Sequence, residues 1–185
     1  VRAIVITGAG DLFCAGADLK ERKGVPASEA GPYIDAIRGA INAIGALRKP
    51  TICALNGSAY GGGLELAACA DFRVAEEHVK LGSPETGIGV IPGWSGTQRA
   101  VRRFGAQVVR RMALAGEVFT ADQALQLGLV DQVVAKGTSL VAAQALAEKI
   151  IARGSFATSA AKLMINAAEA ENAEAALEAW GGIAA

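Results

Sequence analysis

Thr51-Ile52-Cys53-Ala54-Leu55-Asn56-Gly57, continuing through Gly61-Gly62-Gly63 into Leu64-Glu65-Leu66-Ala67-Ala68-Cys69, carries the architecture in its changes of residue type. Five apolar, β-prone residues read as a strand, Asn-Gly as a turn, and the residues after the glycines as a short helical stretch. A further strand follows at Phe72 to Ala75. Upstream, Ala3-Ile4-Val5-Ile6 is a β-branched run ended by Thr7-Gly8-Ala9-Gly10. A run without alternation predicts a strand buried on both faces, as in a parallel sheet. Between these strands, Ile34, Ile37, Ile41, Ile44 and Leu47 keep helical spacing up to Arg48-Lys49-Pro50, where basic residues and a proline suit a helix end. Strand and helix alternate, so the expected class is α/β with right-handed crossovers.

Downstream of Leu81 the pattern changes to Gly82-Ser83-Pro84-Glu85 and a glycine-rich loop through Gly96. Such a loop, long and without apolar periodicity, carries function on a rigid scaffold. The remainder reads as mostly helical, with a capping box at Thr120-Ala121-Asp122-Gln123 and a helix stop at Gly128 before Leu129-Val130. Helices are expected at roughly 138–153, 156–170 and 172–181. In the last, Ala173, Leu177, Trp180 and Ala184 form one apolar face that needs a surface to pack on, within the chain or on another subunit. No internal repeat or low-complexity linker divides the chain, which predicts one domain over 1–185: a core to about 135 and C-terminal helices over about 136–185.

Of the 185 residues, 52% are hydrophobic and 19% charged, a composition that specifies a buried core. Lys plus Arg and Asp plus Glu number 18 each, so no net field draws the chain to nucleic acid or an anionic membrane. An anionic ligand would need a local site. Cys14, Cys53 and Cys69 lack metal-like spacing and cannot all pair, which reads as reduced thiols in an intracellular protein. His78, the single histidine, stands in Glu76-Glu77-His78 and reads as a solvated side chain; no metal site is expected. No apolar run approaches the ~20 residues of a membrane span.

Gly8-Ala9-Gly10 after a strand invites a dinucleotide-binding reading, but the third glycine of that fingerprint would fall at Phe13. Two other turns are more informative. Phe13-Cys14-Ala15-Gly16-Ala17-Asp18-Leu19-Lys20 leads through glycine toward a helix start, and Gly61 to Gly63 opens another. Unpaired N–H groups from two such turns can converge on one oxygen, the geometry of an oxyanion hole. Glu65 lies in the first turn of the second helix, where the dipole favours a carboxylate, and Glu85 follows Pro84 in the glycine-rich loop. Two carboxylates beside one oxyanion site suit water addition or proton transfer next to a carbonyl.

In order and separation these segments resemble the enoyl-CoA hydratase/isomerase (crotonase) family. The likeness runs from Ile4-Val5-Ile6-Thr7-Gly8 through Phe13 to Glu21, Lys49-Pro50-Thr51-Ile52, Asn56-Gly57 and Ala59-Tyr60-Gly61-Gly62-Gly63-Leu64-Glu65-Leu66-Ala67. It continues with Pro84-Glu85, Gly89-Val90-Ile91-Pro92-Gly93 and Gly96-Thr97-Gln98-Arg99, and later Gly128-Leu129-Val130.

The resemblance implies a ββα-spiral fold in which the backbone amides of Ala17 and Gly62 hold the thioester carbonyl of an acyl-CoA. It implies that Glu65 and Glu85 activate one water: Glu65 takes a proton from it as it attacks C3, and Glu85 delivers a proton to C2. Asp18, Leu19 and Lys20 match a segment lining the coenzyme A part of the site, with Lys20 a contact for the phosphates or a solvated side chain. Gly61, Pro92, Gly93 and Trp94 complete the expected substrate-binding set. Trp94 and Ser95 stand where hydratases carry small residues, so the acyl pocket is expected to differ in shape. The implied reaction is hydration of a trans-2-enoyl-CoA without a separate cofactor. Its rivals are Δ3,Δ2-enoyl-CoA isomerisation and a non-catalytic scaffold or RNA-binding role. Homotrimers or homohexamers are the implied assemblies. A cytoplasmic location is expected, with mitochondria also open because the first residue is Val1 and both ends look cut.

Overall fold

The computed structural model describes residues 1–26, 28–94 and 96–169. Among these residues, eight strands form two four-stranded sheets. The first sheet contains β1 (Ile4–Thr7), β3 (Thr51–Leu55), β5 (Phe72–Glu76) and β8 (Gln132–Val134) in the order β1-β3-β5-β8, all parallel. The second contains β2 (Leu12–Cys14), β4 (Ser58–Tyr60), β6 (Lys80–Gly82) and β7 (Val118–Thr120) in that order. Its first three strands are parallel, and β7 runs antiparallel to β6. Thus β1 and β2, β3 and β4, and β5 and β6 each place one strand in each sheet before the chain passes to helix, a ββα unit repeated along the spiral.

The predicted strands and helices appear where local pattern is strong. β3 is buried at all five positions. Cys53 and Leu55 join the larger core with Leu64, Leu81 and Phe119, whereas Ile52 and Ala54 join a second core under Ala143. The two-residue period of a strand makes one segment serve both cores. β1 is only half-buried, because it stands at the edge of its sheet with β3 as its one partner. The double-faced burial expected of β1 belongs to β3.

Helix α1 (Leu19–Lys23) is short, α2 (Ala30–Gly45) carries the predicted isoleucine periodicity, and α3 (Gly62–Ala67) follows β4. The glycine-rich segment is more ordered than a plain loop: a 3₁₀ turn spans Glu85–Ile88 and ends at Gly89 in the left-handed region (φ 74°), and α4 (Gly96–Phe104) begins at its end. After α5 (Ala106–Ala113) comes α6 (Ala121–Gln126), whose capping box is formed as predicted, Thr120 Oγ1 accepting from the Gln123 N–H and Gln123 Oε1 from the Thr120 N–H. Thr120→Ala is expected to lower stability by about 1 kcal/mol, read as a lower urea midpoint at unchanged m-value.

Gly128 has a positive φ of 74° at the predicted helix stop. The following Leu129-Val130 is not yet strand: both N–H groups bond back to the Ala124 carbonyl, both side chains fill the core, and pairing with β5 starts at Gln132. Helix α7 (Ser139–Ile151) covers the first sheet, packing on β1, β3 and β5, and α8 (Ser155–Glu169) follows. Lys162 of α8 is buried with its Nζ 2.7 Å from Asp71 Oδ2 and donating to the Lys49 carbonyl at 2.9 Å, which ties the helix to the start of β3. The helix predicted over 172–181, with its Trp180 face, lies outside the described residues.

Cys53 and Cys69 are buried free thiols, and burial pushes Cys53 up to about 12, so it packs as a small hydrophobe. His78 is exposed, near Glu76. Among the described residues, no helix is long and apolar enough to cross a membrane, and no group of three or more His, Cys, Asp or Glu side chains is placed to hold a metal ion.

Candidate active site

Between β4 and α3 the chain turns at Gly61, whose backbone (φ 53°, ψ −121°) suits only glycine. Its N–H bonds to the Gly82 carbonyl at 3.0 Å, which hooks this turn to the end of β6. Gly62 and Gly63 then begin α3 with N–H groups that have no acceptor within the helix. The turn after β2 lies directly against them: a Cβ on Gly16 would stand 3.0 Å from the Gly62 nitrogen. Ala17 and Gly62 therefore belong to one small region, and both line a cavity of about 410 Å³.

Glu65, one turn into α3, is only 5% exposed. Its Oε1 accepts two backbone N–H bonds, from Trp94 at 2.9 Å and Gly96 at 2.7 Å. The end of the glycine-rich segment thus clamps the carboxylate in one rotamer. Gly96 is obligatory for this approach, since a Cβ there would stand 2.3 Å from Glu65 Oε1. Burial pushes the Glu65 carboxyl above its ordinary value; the two N–H bonds and the charge of Arg99 act downward, and the charge of Glu85 acts upward with burial.

Glu85 lines the same cavity, its Oε1 beside the Gly61 turn. Its Oε2 accepts from Ser83 Oγ at 2.8 Å, while Oε1 is buried and has no hydrogen-bond partner among the described residues. That leaves one oxygen of Glu85 available to a ligand. Two carboxylates, one held by backbone amides and one with a buried oxygen unpartnered among the described residues, line a cavity together with Ala17 and Gly62. The arrangement can position a water and move protons to and from it next to a polarised carbonyl.

Of the other predicted residues, Leu19, Gly61, Gly93 and Trp94 also line this cavity, and Pro92 lines a small hollow beside it shared with Gly61 and Glu65. Asp18 and Lys20 do not line it. The Asp18 carboxylate caps α1, accepting from the Lys20 N–H at 2.8 Å, and Lys20 is exposed. Trp94 holds an unforeseen position: its ring packs on Gly62 so closely that a Cβ there would be 1.8 Å from Cζ3. Arg22, Tyr33 and Ser83 were not singled out in the sequence. For Arg22 a signal existed, since it lies three residues after Leu19 on the same face of α1. A second cavity, of about 630 Å³, lies between α7, α8 and the start of β5 and contains the Lys162–Asp71 pair, with neither Glu65 nor Glu85.

A family model described as enoyl-CoA hydratase/isomerase matches residues 1–180. The chain belongs to the enoyl-CoA hydratase/isomerase family. It is 42% identical over 167 residues to the putative enoyl-CoA hydratase/isomerase YngF of Bacillus subtilis, covering 90% of this chain and 64% of that protein. It is 38% identical over 167 residues to the crotonyl-CoA hydratase of Syntrophomonas wolfei, with the same coverage of 90% and 64%. Among solved structures, the enoyl-CoA hydratase of Bacillus anthracis superposes with a TM-score of 0.87 at 36% identity, covering 96% of this chain and 72% of that one. The fold is that of the crotonase family, with parallel sheets and a helical C-terminal part. The chain spans a little under two thirds of the length of these two curated relatives.

Proposed function

We propose that the protein adds water across the double bond of a trans-2-enoyl-CoA to give the 3-hydroxyacyl-CoA. The observation that carries this reading is that Glu65 and Glu85 line one cavity with Ala17 and Gly62. In the proposed reaction the Ala17 and Gly62 amides hold the thioester oxygen as charge develops on it. Glu65 removes a proton from the water attacking C3, and Glu85 delivers a proton to C2 from its otherwise unpartnered oxygen. The reaction uses no metal or redox cofactor, coenzyme A being part of the substrate. Homologous hydratases and hydratase/isomerases support this class of chemistry. A single-carboxylate Δ3,Δ2-isomerisation would leave the second glutamate without a task, which favours hydration. We further propose a homotrimer or a homohexamer, and a cytoplasmic location.

The test is the loss of the enoyl-thioester chromophore of crotonyl-CoA, with the 3-hydroxy product identified by mass. Conversion of a 3-enoyl-CoA to the 2-enoyl isomer with no hydration would replace this reading by isomerisation. RNA bound more tightly than acyl-CoA, with a steep salt dependence, would replace it by a binding role.

The raised Glu65 pKa sets opposite pH trends for rate and stability. A carboxyl whose value is higher folded than unfolded binds its proton more tightly in the native state, so its contribution to stability is present below the unfolded value and lost as pH rises through the raised one. Hydration needs the ionised form. As pH climbs above the ordinary glutamate range, kcat is expected to increase while Glu65's contribution to the denaturation midpoint falls, and Glu65→Gln is expected to flatten the stability trend. Rate profiles and urea midpoints across pH 4 to about 8 check this.

A further inference from the structure

Among the described residues, three charged side chains line the cavity: Glu65, Glu85 and Arg22. Arg22, part-buried on α1, forms no ion pair and donates no side-chain hydrogen bond among the described residues. Although it shares the cavity with Glu65 and Glu85, Arg22 is ion-paired with neither of them. Apart from these charges and the Tyr33 hydroxyl, the side chains lining the cavity are mostly apolar, Ile34, Ile88, Val90 and Ile91 among them. A guanidinium partly withdrawn from water and without a protein anion needs a partner, and its planar fork matches a carboxylate with two parallel N–H bonds.

We propose that Arg22 binds a carboxylate at the far end of the acyl chain, so that the cavity selects 2-enoyl thioesters of dicarboxylic acids. The inference rests on the hydratase reading above and deepens it. Isoleucine walls suit a hydrocarbon segment between the thioester and a terminal charge and offer nothing to a diphosphate. Lys20 and Lys23, exposed on the same short helix and outside the cavity, are cations placed to meet the coenzyme A phosphates.

The experiment compares the full chain on the CoA thioesters of glutaconate and of 5-methyl-2-hexenoate, in which an isopropyl group replaces the carboxylate at equal shape. The wild type is expected to prefer the glutaconyl thioester in kcat/KM, and Arg22→Gln to lower that preference by about 10- to 100-fold, the range of a charge-assisted hydrogen bond. Arg22→Lys, which keeps the charge and loses the fork, is expected to fall between them. The same ratio measured on pantetheine thioesters, which lack the nucleotide phosphates, is expected to change equally. A wild-type enzyme with no preference for the carboxylate overturns the proposal. So does a variant that lowers both CoA thioesters alike and neither pantetheine thioester, because Arg22 then serves the cofactor-like end of the substrate. Hydration of the isopropyl compound alone refutes this inference and leaves the hydratase reading standing, whereas hydration of neither compound, nor of crotonyl-CoA, refutes that reading itself.

Discussion

Glu65→Gln is expected to reduce kcat for crotonyl-CoA hydration by about 10²- to 10⁴-fold, the range supplied by a positioned general base. The substitution is informative because it changes little else. The replacing glutamine would present an oxygen of the same size and reach, able to accept the N–H groups of Trp94 and Gly96 that now bond to Glu65 Oε1. Far-ultraviolet circular dichroism and the urea midpoint should show the fold retained, so a lost rate reports on proton transfer. Hydration within a few-fold of wild type would remove Glu65 from the mechanism. Lost hydration with retained isomerisation of a 3-enoyl-CoA would instead support the division of roles proposed for the two glutamates.

A comparable loss is expected from Gly62→Ala, for a steric reason. The new methyl carbon would lie 1.8 Å from Cζ3, 2.4 Å from Cε3 and 2.6 Å from Cη2 of Trp94, distances that no packed pair sustains. Either the indole moves or the start of α3 does. Both outcomes reach the chemistry, because the Trp94 N–H holds Glu65 and the Gly62 N–H is a proposed oxyanion donor. Removal of one such donor costs about 10²- to 10³-fold in kcat, and that is the expected size. Trp94→Ala combined with Gly62→Ala removes the obstacle and is expected to recover at least about tenfold of the loss, a non-additivity that marks direct contact. A single variant with near-normal kcat would show that the two residues do not meet in solution. A double variant no better than the single one would place the damage in the backbone of α3.

The residues of this chain reveal their roles unevenly, and the reason lies in the range of the forces involved. Local signals identified β3, α2 and the Thr120 capping box, where an apolar run, an isoleucine spacing or a side-chain cap acts within a few residues. The strands β2, β4, β6, β7 and β8, three residues each, escaped detail because nothing local stabilises so short a strand; each exists by pairing with a neighbour far along the chain. β7 illustrates this, since Val118 to Thr120 becomes strand only by lying antiparallel to Gly82 to Lys80. The two glutamates and the two glycine turns were legible as a resemblance to an ordered set of motifs, and as isolated residues they were not.

By itself, then, the amino-acid order determined the α/β class, the long strand and helix positions, and which carboxylates and turn amides to watch. Only the tertiary structure decided what stands beside them. It turned Asp18 into a helix cap, laid Trp94 on Gly62, left one oxygen of Glu85 free and brought Arg22 rather than Lys20 into the cavity. Secondary structure follows from interactions between near neighbours, which a sequence displays. The contents of a pocket follow from the close packing of segments tens of residues apart, where a single position along α1 determines whether a cation meets substrate or solvent.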